Sequence, residues 1–378
     1  MDIRPFKLSI VDQEMLASPD SFFDAVKEEY NSFKENGFFD DIEDRALYLY
    51  QIKRGKSKHL GLVATVHIED YIAGKILKHE HTLVEKEQKI MNLIFQRRAM
   101  IKPVLLTFPP YKPMKDWMLD YKKKNKPFFS VKINTLDEKH TLWQITDEKI
   151  IERFKVAFRD KVKKVYIADG HHRSSTNRYL YEGGQGEKHN MKFDNLFSVF
   201  FDFDELDILD YNRLVDILDE VSPTQLMAGI AKYCDIELLS TMRKPKHKHE
   251  ITLCILNEWY SLVWKPDVLQ SMGEETVILD AHLLDTLIFR DVMNIEDVTT
   301  DTRLSYVDGT KPVDYIDQKI RKRTERVAFC LYPVRIEDVT TIADQNRVMP
   351  PKSTWFEPRI RNGMVIYNLK DSLTRIMH

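Results

Sequence analysis

The sequence predicts a mixed α+β fold, because strand-like and helix-like segments follow one another without the regular order of a doubly wound sheet. Short runs of β-branched and aromatic residues, such as 104–108 and 163–168, are typical of buried strands. Segment 148–158 carries apolar residues at helical spacing. A chain of 378 residues is long enough for two domains. We predict an N-terminal α/β region over 1–222 and a C-terminal α/β subdomain over 223–378.

The elements of the N-terminal region are predicted in chain order. A turn rich in lysine and glycine between two apolar runs predicts a β-hairpin. A helix, a short strand closed by two prolines, another strand and an amphipathic helix follow, and the next strand stops at Asp169. A helix then ends at two glycines, and two paired strands complete the region. The predicted segments are strands 45–52, 60–68, 104–108, 143–145, 163–168, 196–203 and 206–209, and helices 85–100 and 148–158.

The C-terminal region begins with a predicted helix over 223–233. A run of lysines, histidines and one arginine over 243–249 separates two apolar strands and predicts a solvated loop near a subdomain boundary. Helices over 280–292 and 313–324 and a strand over 327–331 complete the region.

Composition excludes several classes of protein. The 57 basic and 59 acidic residues nearly cancel, so no overall field attracts nucleic acid. The three cysteines, Cys234, Cys254 and Cys330, are far apart in apolar stretches, which indicates buried thiols in a reducing compartment. No segment approaches the roughly 18 apolar residues of a membrane helix. We expect a cytoplasmic protein without a nucleic-acid or membrane partner, whose oligomeric state the sequence does not indicate.

The most informative motif follows the strand that ends at Asp169. Gly170 permits a tight turn, and His171, His172 and Arg173 then stand at the start of a helix, where backbone N–H groups are free. A helix N-terminus with cationic side chains is a good seat for phosphate. The alternative is an ordinary corner between a strand and a helix with a surface arginine.

A second cluster consists of His79, Glu80, His81 and Thr82. In an extended chain His79 and His81 share one face while Glu80 and Thr82 share the other. The spacing is not that of a zinc protease, whose histidines are four residues apart on a helix. Glu80 is therefore a candidate general base, with the histidines as partners of phosphate or of a metal shell. The alternative is a polar edge strand.

A third cluster, Lys352, Ser353 and Thr354, follows two prolines near the C-terminus. It resembles the end of a Walker A loop but lacks the glycines that let the backbone approach phosphate. The sequence leaves two roles open for this loop: it could contact phosphate, or it could be a rigid connector. Arg213 stands beside a predicted turn, which alone is a weak signal.

Taken together, five segments resemble a large, mostly uncharacterised family related to the ParB/sulfiredoxin superfamily, in which some members are free-serine kinases that use pyrophosphate as the phosphoryl donor. The resemblance spans nearly the whole chain. The segments are Ile3-Arg4-Pro5-Phe6, Lys78-His79-Glu80-His81-Thr82, Ile167-Ala168-Asp169-Gly170-His171-His172-Arg173, Tyr211-Asn212-Arg213 and Pro351-Lys352-Ser353-Thr354-Trp355-Phe356.

The resemblance implies a ParB/sulfiredoxin-like core with a strand–Gly–helix phosphate site, L-serine and pyrophosphate as substrates, and Mg²⁺ as cofactor. It places Gly170, His172 and Arg173 on the donor phosphates with Asp169 and His171 beside them, and it makes Glu80 with His79 the base on the serine hydroxyl. No metal ligands are indicated. The remaining candidates are Lys352, Ser353 and Thr354 for the donor and Arg4, His81, Thr82 and Arg213 for the substrate.

Two other functions remain open from the sequence. One is an ATP- or ADP-dependent small-molecule kinase on the same fold. The other is a non-catalytic nucleotide-binding switch protein, against which stand the near-neutral charge and the lack of a helix-turn-helix pattern.

Overall fold

The computed structural model describes residues 1–273 and 277–369. Over the first part of the chain the elements are β1 (Ile3–Arg4), β2 (Ser9–Val11), α1 (Pro19–Glu35), β3 (Phe39–Asp41), β4 (Leu47–Arg54), β5 (Ser57–His67), α2 (Ile68–Ile72), β6 (Ile76–Leu77), α3 (Val84–Arg97), β7 (Ala99–Met100), β8 (Val104–Phe108), α4 (Lys112–Lys124), β9 (Phe129–Ile133), β10 (Glu138–Ile145), α5 (Glu148–Asp160), β11 (Val165–Asp169), α6 (His171–Glu182), α7 (Gln185–His189) and β12 (Asn195–Asp202).

The elements that follow are β13 (Asp207–Leu209), β14 (Tyr211–Asp216), α8 (Pro223–Ile230), β15 (Cys234–Leu238), β16 (Glu250–Ile255), β17 (Glu258–Trp264), α9 (Pro266–Ser271), α10 (Asp280–Leu283), a π-helical turn (Leu284–Arg290), β18 (Leu304–Asp308), α11 (Val313–Ile320), β19 (Arg326–Leu331), α12 (Ile336–Asp344), β20 (Trp355–Glu357) and β21 (Tyr367–Asn368).

Packing divides the chain into two compact units. Unit 1 holds residues 1–78, 82–207 and the segment from 358 onward, and unit 2 holds 79–81 and 208–357. The division by packing thus falls at 207–208. The sequence-based boundary at 222–223 stays a prediction about independent domains.

Unit 1 is built on a mixed sheet of nine strands. Its strand order is β6-β11-β8-β12-β5-β4-β10-β9, and β1 pairs with β5. β8 is buried at all five residues, as expected of a strand whose two faces are both covered. Helix α5 places Phe154 and Phe158, both 0% exposed, in the core of this sheet.

The sheet also fixes the end of β11. This strand pairs in parallel with β6 and antiparallel with β8, and the register with β8 shifts between Ile167 and Asp169. Asp169 is therefore held opposite Leu105 at the point where the strand ends. Gly170 follows with φ +113°, a left-handed conformation that favours glycine, and α6 begins at the next residue.

Unit 2 contains an antiparallel sheet of six strands in the order β15-β17-β16-β19-β14-β18. Its core includes Phe289 from the π-helical turn and Phe329 from β19, whose rings meet edge to face at 5.6 Å between centroids. β13 and β20 form a separate two-stranded sheet.

The predicted mixed α/β fold class is confirmed. The strand predicted over 104–108 is β8 itself, and most other predicted elements match observed ones within a few residues. The predicted pairing of 196–203 with 206–209 is wrong, because β12 pairs with β5 and β8 while β13 pairs with β20. Hydrophobic runs define a strand, but its partner is chosen by tertiary packing.

The buried thiols predicted from the cysteine positions are observed. Cys234, Cys254 and Cys330 are free and buried, and burial raises the pKa of each thiol to about 12. Within the described residues, no helix combines the length and the hydropathy needed to span a bilayer.

Candidate functional site

Three cations converge on the Asp169 carboxylate at the end of β11. Lys102 Nζ and Arg173 Nη2 each lie 3.0 Å from Oδ2, and Arg359 Nη1 lies 3.8 Å from Oδ1. All four side chains are only partly exposed, at 17–29%. Three positive groups thus face one negative group. We call Lys102, Asp169, Arg173 and Arg359 the cation cluster.

The carboxylate of the cation cluster stays ionised. Burial alone raises the pKa of Asp169, but Lys102, Arg173 and Arg359 together hold it well below its ordinary value. Burial in turn lowers the pKa of Lys102, and Asp169 opposes that effect. A carboxylate with so low a pKa is a weak proton acceptor. Asp169 therefore suits the role of holding cations in position better than that of a base.

The turn itself requires glycine for two reasons. Gly170 has a positive φ, and a Cβ added there would lie 2.7 Å from Arg173 Nη2, because the guanidinium packs over this residue. Gly170, the N-cap residue of α6, has no side chain with which to cap the helix. The dipole of α6 favours negative charge at this end of the helix.

Arg173 is anchored by one of its nitrogens. Besides Asp169 Oδ2, Nη2 donates to the carbonyls of Pro103 at 3.3 Å and of Asp169 at 3.4 Å. Nε is buried and has no hydrogen-bond partner among the described residues. A buried donor without an acceptor costs about 1–3 kcal/mol. Proteins tolerate such costs chiefly at functional sites.

The two histidines of the turn differ in their surroundings. His171 is buried, at 4% exposure. His172 is partly exposed, and its Nε2 accepts a hydrogen bond of 3.1 Å from the Leu83 N–H at the start of α3. Because Nε2 is the acceptor, a neutral His172 carries its proton on Nδ1. Thr82, the residue before Leu83, is partly buried in unit 1.

His79, Glu80 and His81 belong to unit 2. His79 is 1% exposed, its ring lies 5.9 Å from that of Phe356, and its carbonyl accepts a hydrogen bond from the Met349 N–H. Burial lowers the pKa of His79 to about 4, so this imidazole is neutral near pH 7. Glu80 is partly buried and His81 is exposed.

The Lys-Ser-Thr loop also lies in unit 2. Lys352 is exposed, has a positive φ of 59°, and places Nζ 5.4 Å from the centre of the Tyr211 ring. The Ser353 hydroxyl donates to the Pro350 carbonyl at 2.7 Å, the contact expected of a rigid connector. Thr354 is partly buried.

The two predicted substrate arginines lie in different units. Arg213, in unit 2, is 1% exposed; its Nη1 donates to the Tyr211 carbonyl, and its guanidinium lies 5.7 Å from the centre of the Tyr306 ring. Arg4, in unit 1, contacts Asp2 and lines a cavity described below. Arg213 is thus part of a packed interior, whereas Arg4 reaches open space.

The structure thus brings together Asp169, Gly170 and Arg173, as the sequence motif predicts, and adds two residues that the sequence analysis missed. Lys102 and Arg359 stand far from residue 169 in the chain. Each borders a proline, Pro103 or Pro358, a weak signal that does not reveal their shared partner.

The described residues contain no group of three or more His, Cys, Asp or Glu side chains placed to hold a metal ion. Both carboxylate oxygens of Asp169 face cations. Since Mg²⁺ prefers oxygen ligands without competing positive charge, it fits this site only as part of a phosphate complex.

The fold and the cation cluster define a mixed α/β protein with a strand–glycine–helix turn surrounded by cations. A family model described as "Protein of unknown function (DUF1015)" matches residues 7–287, and the chain belongs to this family. No curated protein matches the chain.

Several solved structures are similar at low sequence identity. SbnI with a C-terminal truncation, from Staphylococcus aureus, is 11% identical with a TM-score of 0.41, covering 79% of this chain and 85% of that one. A free serine kinase in complex with AMP is 12% identical with a TM-score of 0.42, covering 82% and 91%. A conserved hypothetical protein from Pyrococcus furiosus is 14% identical with a TM-score of 0.40, covering 82% and 95%.

Proposed function

We propose that this protein transfers a phosphoryl group from pyrophosphate to the hydroxyl of free L-serine, giving O-phosphoserine and phosphate. The observation that carries the proposal is the cation cluster: three cations contact one carboxylate beside the N-terminus of α6. Phosphoryl transfer depends mainly on positioning and on neutralising charge, and this arrangement supplies both. Serine and pyrophosphate are chosen because the sequence motifs resemble those of serine kinases.

The donor is expected to bind over the Gly170 turn. Pyrophosphate is small and highly anionic, and the charge on its leaving phosphate grows during transfer. Lys102, Arg173 and Arg359 are held in place by Asp169 before the donor arrives, so little reorganisation is needed when that charge develops. The first N–H groups of α6 add to the same attraction.

Glu80 is proposed as the base that accepts the serine hydroxyl proton. The choice of Glu80 rests on the resemblance, which places the His-Glu pair of the family at His79 and Glu80. Burial lowers the pKa of His79 to about 4, so His79 is neutral near pH 7 and adds no positive charge beside Glu80. Lys352 is a further donor contact in this proposal, and Mg²⁺ enters with pyrophosphate as part of the substrate complex.

The test is an activity assay with alternative donors. Purified protein is incubated with L-serine, Mg²⁺ and either pyrophosphate, ADP or ATP, and O-phosphoserine is detected by mass spectrometry. We expect product with pyrophosphate, and the reverse reaction from O-phosphoserine and phosphate. Product with ATP or ADP alone would assign a nucleotide donor. No product with any donor, together with tight nucleotide binding, would favour a switch protein.

A further inference from the structure

Unit 1 contains a second polar site, a cavity of about 630 Å³. The ends of β1, β12 and β21 contribute to its wall, and it includes none of the residues of the cation cluster. Charged and hydrogen-bonding groups of both signs line it. The residues used below are Arg4, Arg45, Asp194, Asn195 and Tyr367.

Asp194 places a partly exposed carboxylate in the wall of this cavity, with 37% of its side chain accessible. Its Oδ2 accepts a hydrogen bond of 2.9 Å from the Asn195 amide and lies 3.7 Å from Arg4 Nη1. Its Oδ1 is buried and has no hydrogen-bond partner among the described residues. Because Oδ1 is closed to solvent, an ammonium group in the cavity would bind this carboxylate through Oδ2, in a charge-assisted hydrogen bond.

Two arginines face the same space. Arg4 is 37% exposed and reaches Asn195 Oδ1 at 3.5 Å, and Arg45 is exposed without an ion pair among the described residues. By contrast Lys7, which also lines the cavity, already pairs with Glu43 at 2.7 Å. Guanidinium groups match carboxylate oxygens two at a time. Arg4 likewise has a partner, Asp2 at 2.7 Å, but Arg4 and Arg45 are the two guanidinium groups that line this cavity and can face a ligand carboxylate.

The hydroxyl of Tyr367 lies near enough to the charged groups of the cavity for them to affect its pKa. Burial, followed by the Asp194 carboxylate, raises the pKa of its hydroxyl to about 12, while a hydrogen bond with Asn195 and the charges of Arg45 and Arg4 oppose the rise. At neutral pH the hydroxyl is therefore protonated and able to donate. Its ring packs against Phe6 and Phe197, which fixes its position.

The cavity wall is tied to the helix of the anion-binding turn. Asn177 of α6 donates its amide to the carbonyls of Phe193 and Asn195 at 3.1 and 3.4 Å. Seven residues separate Gly170 from Asn177, about 10 Å along the axis of α6.

We propose that this cavity binds the zwitterionic head of a small α-amino acid, with the ammonium on Asp194 and the carboxylate on Arg4 and Arg45. The choice of L-serine, bound as the phosphoryl acceptor, rests on the proposed function. The zwitterion matches the cavity, because the Asp194 carboxylate and two guanidinium groups line the same space. Asn195 and Tyr367 supply the neutral hydrogen bonds that fix orientation.

The experiment is isothermal titration of the full chain with L-serine in the absence of any phosphoryl donor. We expect wild type to bind and both Asp194→Asn and Arg4→Gln to weaken binding at least 10-fold. Arg178→Gln is the matched control, since this arginine lies on α6, pairs with the exposed Glu182 and is not among the residues that line the cavity. Thermal melting of each variant checks that it folds.

Two serine analogues assign each charge. Glycerate lacks the ammonium group and ethanolamine lacks the carboxylate, so both should bind wild type at least 10-fold more weakly than serine. Asp194→Asn should bring the serine-to-glycerate ratio of affinities close to one. Arg4→Gln should do the same for serine and ethanolamine. These ratios are independent of a general loss of stability, because each compares two ligands on one variant.

Absence of serine binding to wild type, or analogue ratios unchanged in the two variants, would overturn the proposal. Serine binding through these residues without formation of O-phosphoserine would leave the cavity assigned and remove the kinase function. Conversely, O-phosphoserine formation with an unchanged KM for serine in Asp194→Asn would support the kinase and reject this cavity as its acceptor site.

Discussion

The cation cluster of unit 1 and the basic loop of unit 2, residues 243–249, are both rich in ion pairs, yet they differ in stoichiometry. In the loop four basic side chains each contact a different carboxylate that is at most 11% exposed, and His247 Nε2 lies 4.0 Å from Glu250, which Arg243 also contacts. The four pairs are Arg243 with Glu250, Lys244 with Asp210, Lys248 with Asp338 and His249 with Asp280. In the cation cluster three cations share Asp169.

The difference separates a structural network from the proposed binding site. Pairing with buried carboxylates leaves the loop little charge to attract a ligand, so the loop serves the packing of unit 2. Three cations around one carboxylate repel one another, and an added anion reduces that repulsion. The cluster at Asp169 is the one of the two that an anionic substrate would stabilise.

The largest predicted effect concerns proton transfer, a step to which neither cluster contributes a base. Glu80→Gln keeps the shape of the side chain but cannot accept a proton, so kcat should fall by roughly 10²–10⁴-fold while the donor still binds. Steady-state kinetics with pyrophosphate, together with titration of the donor, measures the two quantities separately. A variant with wild-type kcat would assign the base elsewhere.

Two arginine variants test the comparison directly. Arg173→Ala removes a charge-assisted contact with the donor, so kcat/KM for pyrophosphate should fall about 10²-fold or more. Its melting temperature should change little, because Asp169 keeps Lys102 and Arg359.

Arg243→Ala should show the opposite pattern. This substitution removes the cationic partner of Glu250, a carboxylate that is 2% exposed, so the unfolding free energy should fall by about 3 kcal/mol. The kcat/KM for pyrophosphate should not change. Chemical denaturation and donor kinetics on both variants complete the test. Equal effects of the two variants on both measurements would show that the two clusters do not differ in role.

A pH titration of stability sharpens the structural side of the comparison. Burial alone raises the pKa of Glu250, but Arg243, the Ser261 hydroxyl and the Lys246 N–H lower it from 4.5 to about 2. A carboxyl whose pKa is lower in the folded state contributes stability above its unfolded pKa, and that stability is lost as the pH falls from about 4.5 to about 2. The full contribution is about 3 kcal/mol.

Glu250→Gln should remove this part of the acid dependence. Its unfolding free energy should decline less than that of wild type between pH 4.5 and 2, as measured by urea denaturation at each pH. Glu182→Gln, at an exposed pair on α6, serves as the control and should leave the slope unchanged. Identical slopes for wild type and Glu250→Gln would show that this carboxyl is not the source.

The same comparison shows what the sequence could predict. The end of β11, the glycine turn and the start of α6 are encoded by adjacent residues, so a local sequence motif was enough to predict this turn. Lys102 and Arg359 reach Asp169 only through tertiary packing, and nothing local to either residue indicates that partner. The α/β class follows from hydrophobic patterns within each element. The pairing of β13 with β20, in contrast, joins segments that are far apart in the sequence.

The basic loop shows the converse error. Its composition predicts a solvated segment, but its cations bind buried carboxylates that lie elsewhere in unit 2, from Asp210 on the approach to β14 to Asp338 in α12. Composition reports charge but not the position of the opposite charge. The role of a charged cluster therefore becomes clear only when its carboxylates are located.

The smallest predicted effect tests whether the geometry of the turn, and not its charge alone, holds Arg173. Gly170→Ala forces a left-handed backbone on alanine and brings Cβ to 2.7 Å from Arg173 Nη2, so the guanidinium must move. Gly184→Ala is the matched control, because Gly184 also has a positive φ of 61° but no neighbour within 4 Å of an added Cβ.

Both glycine variants should lose about 1–2 kcal/mol of unfolding free energy from the strained backbone. Only Gly170→Ala should also raise the KM for pyrophosphate, by about 10-fold, because a displaced guanidinium loses part of a charge-assisted contact. Denaturation curves give the first quantity and steady-state kinetics the second. If Gly170→Ala and Gly184→Ala share the same KM for pyrophosphate, the position of Arg173 over the glycine does not affect donor binding. The combined charge of the cation cluster is then sufficient to bind the donor.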